Sequence, residues 1–199
     1  MILPFEPYNP QWNEQFERIK RELALRLKEL QPQIEHIGST SVEGLAAKPI
    51  IDLMVGVHNE EELDRVPALL AGQNYVYYPK YNIDMPYRRY FVLLHDAPGA
   101  LALPEVIDVK DEIPEKMHDH NLRLAHIHVI PTTSENWTRH LVFRDYLRTH
   151  PSVKAAYQAL KEQLAQQQWE SGNDYNEGKD EFIQREEQNA LHWYKEKNK

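Results

Sequence analysis

The run Ile50-Ile51-Asp52-Leu53-Met54-Val55-Gly56-Val57 constrains this chain more than any other stretch. Side chains alternate across a strand, so Ile51, Leu53, Val55 and Val57 share one face, and Ile50, Asp52 and Met54 share the other. Both faces are largely apolar. A strand of that kind belongs in the middle of a sheet covered on both sides. Asp52 is then the anomaly, because an ionised carboxylate on a covered face must be paired, bonded to donors or set beside a cation. Two readings stand: a satisfied structural carboxylate near the turn at Gly38, or a group that serves a ligand or metal.

The remaining patterns place elements around that strand. Asn9-Pro10 opens a helix whose apolar residues Trp12, Phe16, Ile19, Leu23, Leu27 and Leu30 recur at steps of three and four. Ile34 to Ile37 reads as a short strand, followed by the hydroxyl-rich turn Gly38-Ser39-Thr40-Ser41. Asn59 caps a helix to about Leu70, with Glu62 placed for a capping box and Pro67 predicting a kink or an earlier end. Asn74 to Tyr78, Arg88 to His95, Val106 to Val109 and Leu124 to Ile130 are expected strands. From Ser134 onward the chain is expected to be helical, broken at Pro151 and at Ser171-Gly172-Asn173. The expectation is a single α/β (α+β) domain over 1–199: a mixed sheet flanked by helices to about residue 132, then a helical extension over about 133–199 packed on it.

Bulk properties remove several functions. Among 199 residues, 31 are acidic and 23 basic, a formal net charge of −8, so no nucleic-acid polymer is expected as a partner. A local basic pocket stays compatible with that balance. The absence of cysteine removes disulfides, thiolate metal sites and cysteine nucleophiles. Met1 to Gln15 lacks signal-peptide features, and no apolar run reaches the length of a membrane span. No membrane partner and a cytoplasmic location are expected.

The turn carries the next inference. Glycine admits a close approach to its backbone, and exposed N–H groups and hydroxyls suit phosphate oxygens, although such turns are also ordinary loop chemistry. His126 and His128 fall on one side of the strand Leu124 to Ile130, as ligands, proton carriers or packing residues. Lys48, Arg89, Arg144, Arg148, Lys161 and Lys179 are candidate phosphate cations, or partners of Asp145, Glu162 and Asp180 along helices. The run Tyr75-Val76-Tyr77-Tyr78 suits base stacking or plain sheet packing.

The stretch His36-Ile37-Gly38-Ser39-Thr40-Ser41-Val42-Glu43-Gly44-Leu45-Ala46-Ala47-Lys48-Pro49-Ile50-Ile51-Asp52-Leu53 resembles the signature of the GrpB family, with Glu43 where a Pro is usual. His126-Ile127-His128-Val129, Phe143-Arg144-Asp145-Tyr146-Leu147-Arg148 with Pro151, Tyr157-Gln158-Ala159-Leu160-Lys161, and Tyr175, Lys179 and Phe182 extend the match in order. Asp96 to Asn121 fits it badly and reads as an insertion. The resemblance implies a nucleotidyltransferase-like fold, and related domains occur fused to some dephospho-CoA kinases. In that fold the turn holds nucleotide phosphates, so the expected phosphate-binding set is Gly38, Ser39 and Thr40 with Lys48, Arg144 and Arg148 as candidate cations, and the expected ligand is a nucleotide or CoA-like compound. Active transferases of this fold carry two acids one residue apart on the strand; here Asp52 is followed by Leu53 and Met54, so the second acid is missing. His128 stands near the place of a third acid, with Asp108 a further candidate. The expected set is Asp52 and His128 as catalytic residues, and Asp52, His126 and His128 around a divalent metal, magnesium or manganese. Three functions follow: nucleotidyl or phosphoryl transfer, a binding domain without turnover, or metal-assisted hydrolysis by Asp52, His126 and His128.

Overall fold

The structure, a computed structural model, describes residues 5–166 and 172–198, and of 172–177 the backbone only. The expected break at Ser171 and the side chain of Tyr175 therefore lie outside the described residues. Helix α1 (Gln11–Arg26) begins where Asn9 Oδ1 accepts from the Gln11 N–H at 3.0 Å. Its predicted stripe is buried, and Leu27 and Leu30 continue it through a tighter turn over Lys28–Leu30.

Five strands form one mixed sheet: β1 (Gln33–Ile37), β2 (Ile51–Val57), β3 (Tyr75–Tyr77), β4 (Arg89–Leu94) and β5 (Arg123–Pro131), in the order β1-β2-β5-β4-β3. Only β2 and β5 run parallel; the other pairs are antiparallel. The apolar strand β2 lies inside the sheet, as its two apolar faces require. Ile51, Leu53, Val55 and Val57 join Ala125, Ile127, Val129, Phe91 and Leu93 under α1 and α2 (Glu60–Leu70). Helix α2 continues through Pro67, so of the two expected outcomes there, a kink or an earlier end, the earlier end does not occur. Leu63, Val66 and Leu70 are all buried, and that packing outweighs one lost backbone bond. Asn59 caps it through the Glu62 N–H, while Glu62 reaches back to the His58 N–H.

The opposite face is covered in two blocks. The helices α3 (Glu135–Thr149), α4 (Pro151–Ala165) and α5 (Gly172–Lys197) cover one end, with Trp137 against Ile37, Met54 and Ile130. Leu147, Tyr157 and Phe182 close over Val42 and Leu45. The connection after β4 covers the other end, where Leu103, Ile107 and Met117 pack on Val76, Val92 and Leu94. The expected strand at Val106 to Val109 is reduced to one bridge between Tyr77 and Val106. This is the mixed α+β fold expected, with helices on both faces of the sheet. No helix among the described residues is long and apolar enough to cross a membrane.

Candidate functional site

Between the two covering blocks the sheet face is open, and a cavity of about 620 Å³ lies there, within the usual range of small-molecule sites. Asp52 and His126 are register partners on β2 and β5, and His128 stands opposite Tyr90 on β4. All four line the cavity floor. The connection between β4 and β5, where the sequence suggests an insertion over Asp96 to Asn121, supplies one wall through Ile113, His118 and His120; α4 and α5 supply the other through Lys161 and Lys179.

The turn after β1 converges on the same place. Gly38 has φ +68° and ψ −173°, a region open to glycine almost alone. A Cβ there would overlap the Asp52 carboxylate. Gly38 thus admits Asp52, and the cavity wall is formed by Ser39 and Thr40. Thr40 is buried, and its Oγ1 lies 3.0 Å from His36 Nε2. His36 points to the other face, stacked on Phe16 with centroids 4.6 Å apart. It does not line the cleft, because Ile37, one residue on, takes the cleft side.

Of the six candidate cations, three face the cavity and three do not. Lys48, Lys161 and Lys179 line it. Lys161 is buried and donates to Ser39 Oγ at 3.1 Å and to the Ala46 carbonyl at 2.5 Å. Burial, then the charge of Lys179, brings the Lys161 ammonium down to about 7. Burial and Lys179 bring Lys48 down to about 7 as well, and burial brings Lys179 down to about 8. The expected phosphate ligands Arg144 and Arg148 lie behind the turn. Arg144 pairs with Glu35 at 2.7 Å and Asp145 at 2.8 Å and donates to the His36 carbonyl; Arg148 donates to the Ser41 carbonyl at 2.7 Å. They hold the turn and are absent from the cavity wall. Arg89 pairs with Asp64 across the opposite face. Asp108 sits in an exposed turn, bonded to the Val109 N–H, so it adds no carboxylate to the floor.

Two arginines that no sequence pattern singled out complete the floor. Arg88 Nη1 lies 3.2 Å from His128 Nδ1, with its guanidinium over the Tyr90 ring at 5.2 Å. Arg123 Nη1 lies 3.3 Å from His126 Nε2, and its Nη2 donates to the Met117 carbonyl. A register irregularity between Leu93 and Leu94 pairs Leu94 with Arg123, and such bulges re-aim a side chain. No strand alternation in the sequence could reveal that. Tyr78, Tyr81 and Tyr90 form an aromatic end of the cavity, with Tyr78 and Tyr81 stacked at 5.4 Å. Of the tyrosine run, Tyr75 and Tyr77 instead pack in the core, Tyr77 on Phe91.

The donor set does not fit a resident metal. Among the described residues no three His, Asp or Glu side chains group in a way that could hold one. An arginine can only donate, so His128 Nδ1 and His126 Nε2 are acceptors in those contacts. His126 Nδ1 then carries the proton and donates to Asp52 Oδ1 at 3.1 Å. The nitrogen lone pairs that would bind a metal already face guanidinium groups. The expected trio Asp52, His126 and His128 is thus brought to one cavity floor, with Asp52 and His126 joined by a hydrogen bond and His128 held by Arg88 instead. Burial pushes the Asp52 carboxyl up, and the hydrogen bond from His126 together with the neighbouring imidazoles outweighs it, leaving it below the ordinary range. Burial and Arg88 hold His128 neutral, well below its ordinary value.

Comparison with known proteins supplies the family. A family model described as GrpB protein matches residues 4–189. UPF0157 protein YqkA of Bacillus subtilis is 35% identical over 191 residues, covering 96% of this chain and 48% of that protein. This chain thus spans about half of that relative's length. Glutamate-rich protein GrpB of Alkalihalophilus pseudofirmus is 27% identical, with 88% of each chain covered. The crystal structure of GrpB from Enterococcus faecalis superposes with a TM-score of 0.70 at 34% identity, covering 96% of this chain and 98% of that one.

Proposed function

This chain belongs to the GrpB family, and we propose that its cleft binds a phosphate-bearing small molecule, a nucleotide or a CoA-like compound, without turning it over. The observation that carries this reading is the meeting of Lys48, Lys161 and Lys179 on one cavity wall in a chain of net charge −8. Lys161 is buried and Lys48 and Lys179 are half-buried, and partly desolvated ammonium groups crowded in one place are costly to keep charged. A polyanion among them removes that cost, so the site gains most from a ligand with clustered negative charge. Ser39 and Lys161 meet the phosphates, and the aromatic end formed by Tyr78, Tyr81 and Tyr90 offers a surface for a base.

Met54 supports holding over transfer. It occupies the position two residues after Asp52 on the same face, where a two-metal transferase needs its second carboxylate, and it is fully buried. Asp52 here acts as the acceptor that orients His126 and as a counter-charge to the lysines. Thermal shift and calorimetry with ATP, CoA and inorganic tripolyphosphate test the reading. Binding of a polyphosphate that weakens when Lys161 is replaced by Met is expected. No response to any of the three would sink it.

A further inference from the structure

Arg88 and Arg123 stand at the cleft floor with no carboxylate in ion-pair range among the described residues, although the chain holds 31 acidic side chains. Each instead contacts an imidazole: Arg88 at His128 Nδ1, Arg123 at His126 Nε2. A second observation points the same way. Arg123 Nε is buried without a hydrogen-bond partner, and buried donors of that kind are rare unless a ligand or water completes them. The row Asp52–His126–Arg123 has a consistent proton order, since Asp52 accepts from Nδ1 and Arg123 donates to Nε2. It ends in a cation that lines the cleft beside Asp52 and His126.

We propose that Arg88 and Arg123 replace the metal: held by His128 and His126, they take the ligand's phosphate oxygens, so that the cleft binds its polyanion without a divalent cation. This rests on the phosphate-binding reading above and adds to it the groups that neutralise the charge. His126 and His128 are positioning residues in this scheme. Their lone pairs orient the guanidinium groups, whose planar donors then match phosphate oxygens.

The test is calorimetric titration of ATP and of inorganic tripolyphosphate into the full chain, in EDTA and in excess magnesium or manganese. Binding in EDTA is expected, with affinity changed less than about threefold by the metals for tripolyphosphate after correction for its own metal complexes. Arg88→Met and Arg123→Met are each expected to weaken binding about 10- to 100-fold, as loss of a charge-assisted hydrogen bond does. His128→Gln should weaken it too, and much less so in the Arg88→Met background, because its effect passes through Arg88. Circular dichroism of each variant separates loss of fold from loss of contact, and Arg88→Lys, which retains the charge, should recover part of the affinity. Manganese titrated alone should give no stoichiometric site. Binding that appears only with magnesium or manganese, or a manganese site lost in His126→Gln, overturns the metal replacement and leaves the phosphate cleft standing. No polyphosphate binding in any condition overturns both.

Discussion

Gly38 and Asp52 occupy one another's space: a Cβ on Gly38 would sit 3.0 Å from Asp52 Cβ and closer still to its Oδ2. The positive φ of Gly38 turns the chain so that the loop folds over the neighbouring strand, and the missing side chain leaves room for the acid. The glycine turn and the acid on β2 are therefore one steric unit, which brings Ser39 and Thr40 to the edge of the cleft.

Gly38→Ala should lower stability by about 2–4 kcal/mol, the sum of a backbone conformation that residues other than glycine rarely adopt and the overlap with Asp52. Urea unfolding of the single variants and of Gly38→Ala/Asp52→Ala separates the two parts. Removing the carboxylate should relieve the overlap with Oδ2 and Cγ and leave the backbone strain and the close Cβ contact. An equal penalty in both backgrounds would refute the steric coupling.

Lys161→Met and Arg144→Met should behave as opposites. Lys161 faces the cavity, so its loss should weaken tripolyphosphate binding about 10- to 100-fold. Arg144 is spent on Glu35, Asp145 and the His36 carbonyl. Its loss should cost about 1–3 kcal/mol of stability and leave affinity within about threefold. Paired calorimetry and denaturation measure both quantities, and an Arg144→Met protein of native stability but abolished binding would return Arg144 to the ligand.

The contrast between those two cations marks how far the sequence is legible. The stripe of α1, the two faces of β2, the turn after β1 and the shared side of His126 and His128 all follow from periodicity, because a strand or helix period fixes direction within an element. Which cation faces the cleft depends on where separate elements come to rest. Arg144 and Lys161 both interrupt helical faces, yet α3 lays Arg144 against Glu35 while α4 lays Lys161 against Ser39. Arg123 was hidden for a different reason: a bulge breaks the alternation that would have assigned its side. The segment Asp96–Asn121 fits the family signature badly, yet its His120 lines the cavity and its Met117 is buried in the cluster under the same end of the sheet.

His36 should register in acid unfolding. Burial lowers it from an ordinary 6.5 to about 4 in the folded chain. Its folded value lies below its unfolded value, so the unfolded state binds the extra proton. Its contribution is present above about pH 6.5 and is lost as pH falls through about 4. His36→Gln should flatten the pH dependence of unfolding free energy in that window by up to about 1.4 kcal/mol per pH unit. Parallel slopes for the two proteins would place the acid sensitivity elsewhere.

The cleft lysines set the opposite end of the pH scale. Their folded values near 7 and 8 lie below an ordinary 10.5. Stability from these groups is therefore present above about pH 10.5 and lost as pH falls through about 8 and 7, where the crowded ammonium groups must carry charge. A polyphosphate reverses this by favouring the charged form, which requires proton uptake on binding. Calorimetry of tripolyphosphate at pH 8 in buffers of different ionisation enthalpy should show net uptake, and affinity should fall between pH 7 and pH 9. The last proton of tripolyphosphate titrates in the same range and a cationic site favours its release, so the lysine share is the part of the proton exchange that Lys161→Met removes. Lys161→Met should reduce the uptake. Binding that is proton-neutral and equally tight at both pH values would mean that the phosphates rest on other groups.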